Sequence, residues 1–136
     1  MKIDRLYKNF EVLGDWQQRY GYIIELGSKL PKLDEIHKTE ENRVHGCMST
    51  VFMTVELTDE DPSRINFRAE SDTSIVNGLI AVLSMIYDGI TLKELSEVNV
   101  KDIFSKLGLD SHLSPNRRNG FFAMVERIEQ LKNYGS

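Results

Sequence analysis

The stretch Ile65-Asn66-Phe67-Arg68-Ala69-Glu70-Ser71-Asp72-Thr73-Ser74-Ile75-Val76-Asn77-Gly78-Leu79-Ile80-Ala81-Val82-Leu83-Ser84-Met85-Ile86-Tyr87 changes its hydrophobic period partway along, and that change sets the fold class. Ile65, Phe67 and Ala69 alternate with Asn66, Arg68 and Glu70, the two-residue period of a half-buried strand. From Ser71 the period is helical, with Asp72 as the N-cap of a helix running to about Tyr87. Ile75, Val76, Leu79, Ile80, Val82, Leu83, Met85 and Ile86 make it apolar nearly all round, which predicts the central buried helix. Gly78 costs that helix about 1 kcal/mol relative to alanine. Such a cost marks close packing, and the segment around Cys47 is one candidate neighbour.

Upstream, Val51, Met53, Val55 and Leu57 face one way while Phe52, Thr54 and Glu56 face the other, a first half-buried strand. Thr58-Asp59-Glu60-Asp61-Pro62-Ser63 is a turn cluster, so Ile65 to Ala69 returns antiparallel to that strand. A one-residue slip would send the apolar set to solvent, so the register is well specified. Nearer the N-terminus, Ile3, Leu6, Tyr7, Phe10 and Leu13 recur at helical spacing until Gly14-Asp15. Asp15 can cap a second helix with a Trp16, Tyr20, Ile23, Ile24, Gly27 stripe, which Leu30-Pro31 stops. Residues 32–43 are polar and aperiodic, a loop. Downstream, Thr91-Leu92-Lys93-Glu94 is a capping box, and a short helix around Lys101 to Leu107 ends at Gly108. Ser114-Pro115 opens a last helix with an apolar face of Phe121, Phe122, Val125, Ile128 and Leu131. The expected class is α+β, a small antiparallel β-sheet with helices packed around it.

At 136 residues the chain is expected to be one domain, able to bury a core without a disulfide or metal. A single cysteine cannot form an internal disulfide, and no signal-type segment opens the chain, so a reducing, cytoplasmic setting is expected. The longest apolar run, Leu79 to Tyr87, is too short to span a bilayer, so no membrane partner is expected. A net charge of −4 argues against binding nucleic acid.

The one cysteine, Cys47, lies in Val44-His45-Gly46-Cys47-Met48-Ser49-Thr50-Val51. Gly46 allows a sharp turn and close approach by another molecule, which suggests a thiol presented on a tight loop ahead of a strand. An isolated cysteine is more often a small buried hydrophobe without chemistry. The surrounding motifs decide between the two readings.

Those motifs are Tyr22-Ile23-Ile24-Glu25-Leu26-Gly27 before Leu30-Pro31, the Gly46-Cys47-x-Ser49-x-Val51 core, and Ser71-Asp72. Ile75-Val76-x-Gly78-Leu79-Ile80-Ala81-Val82 and His112-Leu113-x-Pro115-x-Arg117-x-x-Gly120 follow in order. Together they resemble the SufE family of sulfur-acceptor proteins along almost the whole chain. Phe52 and Met48 stand where many members have tryptophan and glutamine, and His45 occupies a variable position. Ser49 leans toward SufE itself rather than its paralogue CsdE.

The resemblance implies a sulfur carrier, not an enzyme, with no cofactor of its own. Cys47 would accept persulfide sulfur from a pyridoxal-phosphate-dependent cysteine desulfurase (SufS- or CsdA-like), stimulate it, and deliver sulfur to a SufB-like iron–sulfur scaffold complex. It also implies a monomer or weak homodimer, and a fold similar to the scaffold IscU. IscU-type scaffolds carry several ligating cysteines; a single one here supports carriage over cluster assembly.

Transpersulfuration needs a thiolate, favoured by a nearby cation or backbone donors, and shelter from oxidants. His45, two residues before Cys47, is a candidate thiolate stabiliser; the competing reading is an exposed loop histidine. By resemblance Arg117 is a candidate pocket or partner contact, against a solvated helix-start arginine. Gly46, Ser49, Asp72 and Gly78 are candidate pocket or partner positions. Asp72 and Gly78 also have plain structural readings, as cap and packing residue, and Arg68 and Glu70 read as the polar face of a strand. Cys47 with His37, His45 and His112 lacks a zinc-motif spacing, so no metal is expected. Two other functions remain open: a binding module that regulates a desulfurase allosterically without carrying sulfur, and a standalone thiol enzyme, for which no third orienting group is evident.

Overall fold

A computed structural model describes residues 2–45 and 49–134, the side chain of Tyr134 excepted. Its helices are α1 (Lys2–Leu13), α2 (Trp16–Ser28), α3 (Ser74–Tyr87), α4 (Leu92–Glu97), α5 (Val100–Lys106), α6 (Leu109–His112) and α7 (Pro115–Glu129). Strands β1 (Val51–Leu57) and β2 (Ile65–Ser71) lie between α2 and α3 and pair antiparallel, Val51 opposite Ser71 and Leu57 opposite Ile65. The protein is therefore helix-rich with a small two-stranded antiparallel sheet, the α+β class expected from the period change.

The alternation in the strands becomes burial. Val51, Met53, Ile65, Phe67 and Ala69 are buried, and α3 packs across them as the central helix, with Leu79, Ile80, Val82, Leu83, Ile86 and Tyr87 almost fully enclosed. Each such side chain contributes about 1.5–3 kcal/mol relative to exposure. Tyr87 ends α3 inside the core, where its hydroxyl donates to Glu129 Oε1 at 3.1 Å and ties α3 to α7. Burial, reinforced by that carboxylate, pushes the phenol above its ordinary range.

The outer edge of β2 is closed without a third strand. Ile65 N–H donates to the Ile90 carbonyl and Gly89 N–H to the Ile65 carbonyl, after Gly89 turns the chain at φ +85°. Asp88 Oδ1 accepts from Phe67 N–H, Arg68 Nη1 donates to the Phe67 carbonyl, and Asn77 satisfies both backbone groups of Ser71. Leu30 and Pro31 line the grooves beside Ala69 between these ties.

The caps fall largely where the sequence puts them. Asp15 accepts from Gln18 N–H at 2.9 Å, Thr91 and Glu94 form a reciprocal capping box, and Ser114 with Pro115 opens α7. Gly108 adopts φ +75° after α5, and the short α6 follows it, an element the sequence pattern does not show. The 32–43 segment carries two 3₁₀ turns, Glu35–His37 and Glu40–Asn42.

One expectation needs correction. Asp72 does not cap α3; the N-cap is Thr73, with no side-chain cap bond. Asn77, one turn into the helix, takes the backbone of Ser71, while the exposed Asp72 carboxylate accepts from the Thr73 hydroxyl at 3.1 Å. Gly78 packs against α2, while the Cys47 segment, its other candidate neighbour, lies outside the described residues. A Cβ on Gly78 would lie 2.5 Å from the Ile23 carbonyl oxygen, and Gly27 faces the backbone of Asn77 and Gly78 in return.

Because the obstructing atoms are backbone, the helices must separate to admit a methyl group. Gly78→Ala is expected to destabilise by about 2 kcal/mol, overpacking outweighing the roughly 1 kcal/mol gain in helix propensity. Thermal unfolding checks this: a melting temperature at or above wild type would contradict the tight crossing.

Candidate functional site

The loop that carries the cysteine leaves one stem at Val44 and enters β1 at Val51. Val44 N–H donates to the Val51 carbonyl at 2.9 Å, and Arg43 bridges to Phe52, so the stems pair as a short extension of the sheet. Val44 and Val51 are both buried, which seats the two stems on the core. Gly46, Cys47 and Met48 lie outside the described residues.

Two parts of the fold converge on the second stem, α7 and the segment between β2 and α3. Ser114 accepts from Arg117 N–H in the first turn of α7, and from that turn Arg117 Nη1 donates to Ser49 Oγ at 3.1 Å. Thr73, ahead of α3, places its hydroxyl 2.9 Å from Ser49 Oγ and 3.1 Å from Asp72 Oδ1. A polar chain therefore runs from a guanidinium through two hydroxyls to a carboxylate, with opposite charges at its ends to orient it. Beneath it lies a narrow pocket of about 20 Å³, walled by Val51, Val76, Leu79, Gly120, Phe121 and Met124, with Ser49 and Arg117 at its polar side. That space admits one water-sized guest.

The expected residues separate accordingly. Arg117 and Ser49 meet across 68 positions of sequence, and Asp72 joins them through Thr73. His45 is exposed and its Nε2 lies 3.3 Å from Glu40 Oε1. Gly78 lies in the crossing of α2 and α3.

The segment leading to the loop is also anchored. Glu70 Oε1 accepts from Leu33 N–H at 2.8 Å and Oε2 pairs with Lys38 at 2.9 Å, so Glu70 is more than strand polarity. Arg127 Nη2 donates to the carbonyls of Glu41 and Arg43 at 3.1 and 3.0 Å. Among the described residues no group of three or more His, Cys, Asp or Glu is arranged to hold a metal ion, and no helix is long and apolar enough to cross a membrane.

The sequence profile of the SufE family, described as an Fe-S metabolism associated domain, matches residues 4–132. The chain belongs to the SufE family. An uncharacterised SufE-like protein of Rhizobium meliloti (strain 1021) is 40% identical over 128 residues, covering 93% of this chain and 91% of its own. A second, from Rhizobium etli, is 42% identical over 130 residues, covering 94% and 87%. A hypothetical protein from Thermus thermophilus, solved in solution, superposes with a TM-score of 0.76 at 18% identity, covering 98% of this chain and 94% of that one. That likeness shows the fold. Membership places this SufE domain in iron–sulfur metabolism.

Sequence reasoning missed Thr73 and Arg127 as neighbours of the loop. Thr73 is one position from the motif residue Asp72. Arg127 carried a weaker signal, a cation beside the apolar stripe of the last helix.

Glu70 gives a pH test of the leading segment. The Lys38 ammonium, followed by the Leu33 N–H bond, holds the Glu70 carboxyl below its usual value of 4.5. A folded value below the unfolded one stabilises the fold above the unfolded value, and the contribution is lost as pH falls through the folded value. Glu70→Gln keeps an acceptor for Leu33 and removes the charge. Urea midpoints of wild type and variant are expected to differ above pH 4.5 and converge below it. A difference that persists unchanged into stronger acid would refute the assignment.

Proposed function

We propose that this protein is a sulfur carrier whose Cys47 accepts a persulfide sulfur from a pyridoxal-phosphate-dependent cysteine desulfurase and delivers it to an iron–sulfur assembly scaffold. The observation that carries the reading is the guanidinium of Arg117 bonded to Ser49, two residues beyond the chain's only cysteine. A cation at that position favours the thiolate over the thiol.

The chemistry balances without an outside oxidant. The Cys47 thiolate attacks the outer sulfur of the desulfurase persulfide, a sulfur–sulfur bond forms to Cys47, and the bond to the desulfurase cysteine breaks. That cysteine leaves as a thiolate, ready for another turnover, so removal of the product sulfur stimulates the desulfurase. The carrier needs no cofactor of its own; the pyridoxal phosphate belongs to the donor. The narrow apolar pocket beside Ser49 has room for one thiol sulfur, sheltered from oxidants until the donor docks. A cytoplasmic setting fits this chemistry, since a reducing compartment keeps the acceptor thiol free.

Intact-protein mass spectrometry after incubation with a desulfurase and free cysteine tests the reading. Wild type is expected to gain a reductant-labile sulfur mapped to Cys47, and Cys47→Ser to fold, gain none and lose the stimulation. A Cys47→Ser protein that still stimulates fully would instead make the chain an allosteric module. Arg117→Ala is expected to slow transfer by about tenfold, the loss of one charge-assisted hydrogen bond and its cation. Unchanged transfer kinetics in that variant would remove Arg117 from the mechanism.

A further inference from the structure

We infer that Arg127 is a positioning residue for the thiol: it holds the first stem of the Cys47 loop in place on the fold. The inference rests on the reading of Cys47 as the acceptor and adds a residue that the motifs do not contain.

The residues before the loop make two kinds of hydrogen bond. Asn42 Nδ2 donates to the His37 carbonyl and Arg43 N–H to the Glu40 carbonyl. These bonds give the turn its shape but do not say where it sits on the protein. Its place comes from the sheet side, through Val44 N–H on the Val51 carbonyl and, earlier in the segment, Leu33 and Lys38 on Glu70, and from α7, through Arg127. Arg127 is half-buried, and among the described residues its guanidinium serves the backbone carbonyls of Glu41 and Arg43 and makes no ion pair with a carboxylate. One Nη2 reaching both carbonyls, 84 and 86 positions away in sequence, fastens the stem to a helix remote from it in the chain. Charged donors to carbonyls form stronger bonds than neutral ones. Lysine could supply the charge but not the rigid planar fork that fixes direction.

The same helix holds the other stem, since Arg117 lies ten residues earlier on α7 and bonds Ser49. Ten residues of helix rise about 15 Å, so the two anchors cannot shift independently. Without Arg127 the first stem keeps its turn and its Val44 bond but loses its tie to α7. The thiol is then displayed from a looser base.

The test reads the rate of Cys47 alkylation by iodoacetamide, with no desulfurase present, together with hydrogen exchange at the Val44 amide. Arg127→Ala is expected to raise the alkylation rate by about fivefold and speed exchange at Val44, as loss of roughly one net hydrogen bond permits. Arg127→Lys should fall between it and wild type. Leu95→Ala, buried in α4 away from the loop, serves as a control for general destabilisation. Wild-type alkylation in Arg127→Ala would overturn the inference, as would an equal rise in Leu95→Ala at matched thermal stability. If Arg127→Ala fails to fold, a wild-type rate in folded Arg127→Lys overturns it in the same way. No sulfur donor takes part, so failure of the carrier role, seen as absence of a persulfide, leaves this result separately readable.

Discussion

The rest of the structure depends on how closely α2 and α3 cross. Gly27 and Gly78 face one another where each helix meets the other's backbone, and a single added Cβ would collide with main-chain atoms. Two helical glycines cost about 2 kcal/mol in propensity together. What they permit is larger: Ile23 reaches full burial, and α3 stays pressed on the sheet with Leu79, Ile80 and Leu83 enclosed. With α3 fixed, its N-terminal turn is fixed as well. Thr73 then meets Ser49, and Asn77 meets the end of β2. The contact at the loop is therefore set by backbone proximity a full turn away from it.

A two-stranded sheet has two edges and little stability of its own. Here both edges are occupied by something other than a third strand. On the β1 side, the Arg43–Val44 stem pairs with Phe52 and Val51, so the approach to the cysteine loop doubles as edge protection. On the β2 side, Asp88, Arg68 and Asn77 supply side-chain substitutes for a neighbouring strand. The consequence is functional as well as structural. Stems paired at a sheet edge inherit the stiffness of the sheet.

How much of this was legible depended on the range of the interaction involved. The strands, α3 and the caps at Asp15, Thr91 and Ser114 were readable because period and capping are written within a few residues. Asp72 was misread by one position because its carboxylate takes the neighbouring Thr73 hydroxyl and the helix begins after Thr73, a local choice that a cap signal does not reveal. Gly78 correctly signalled a close approach, but the identity of its neighbour is a tertiary fact; Gly27 lay in plain view on the α2 stripe without any sign that the two meet. Arg117 was reached only through the family motif, since nothing local ties it to Ser49. Arg127 belongs to no motif, and its acceptors are backbone carbonyls, which no residue type announces.

That last point bears on how the stem before the cysteine segment is held. Side-chain partners would make the stem's position depend on its own sequence. Backbone carbonyls place no such demand on the stem, so Arg127 can hold Glu41 and Arg43 whatever their side chains do. At the other stem the partner is the Ser49 hydroxyl, one of the smallest polar groups available, and it leaves the cation of Arg117 close to the thiol segment. A capped helix is well suited to carry both arginines. Ser114 and Pro115 fix its first turn, and the buried row of Phe121, Met124, Val125 and Ile128 keeps it seated on the core. Rigidity is thus placed in α7 and the sheet, where both stems are anchored.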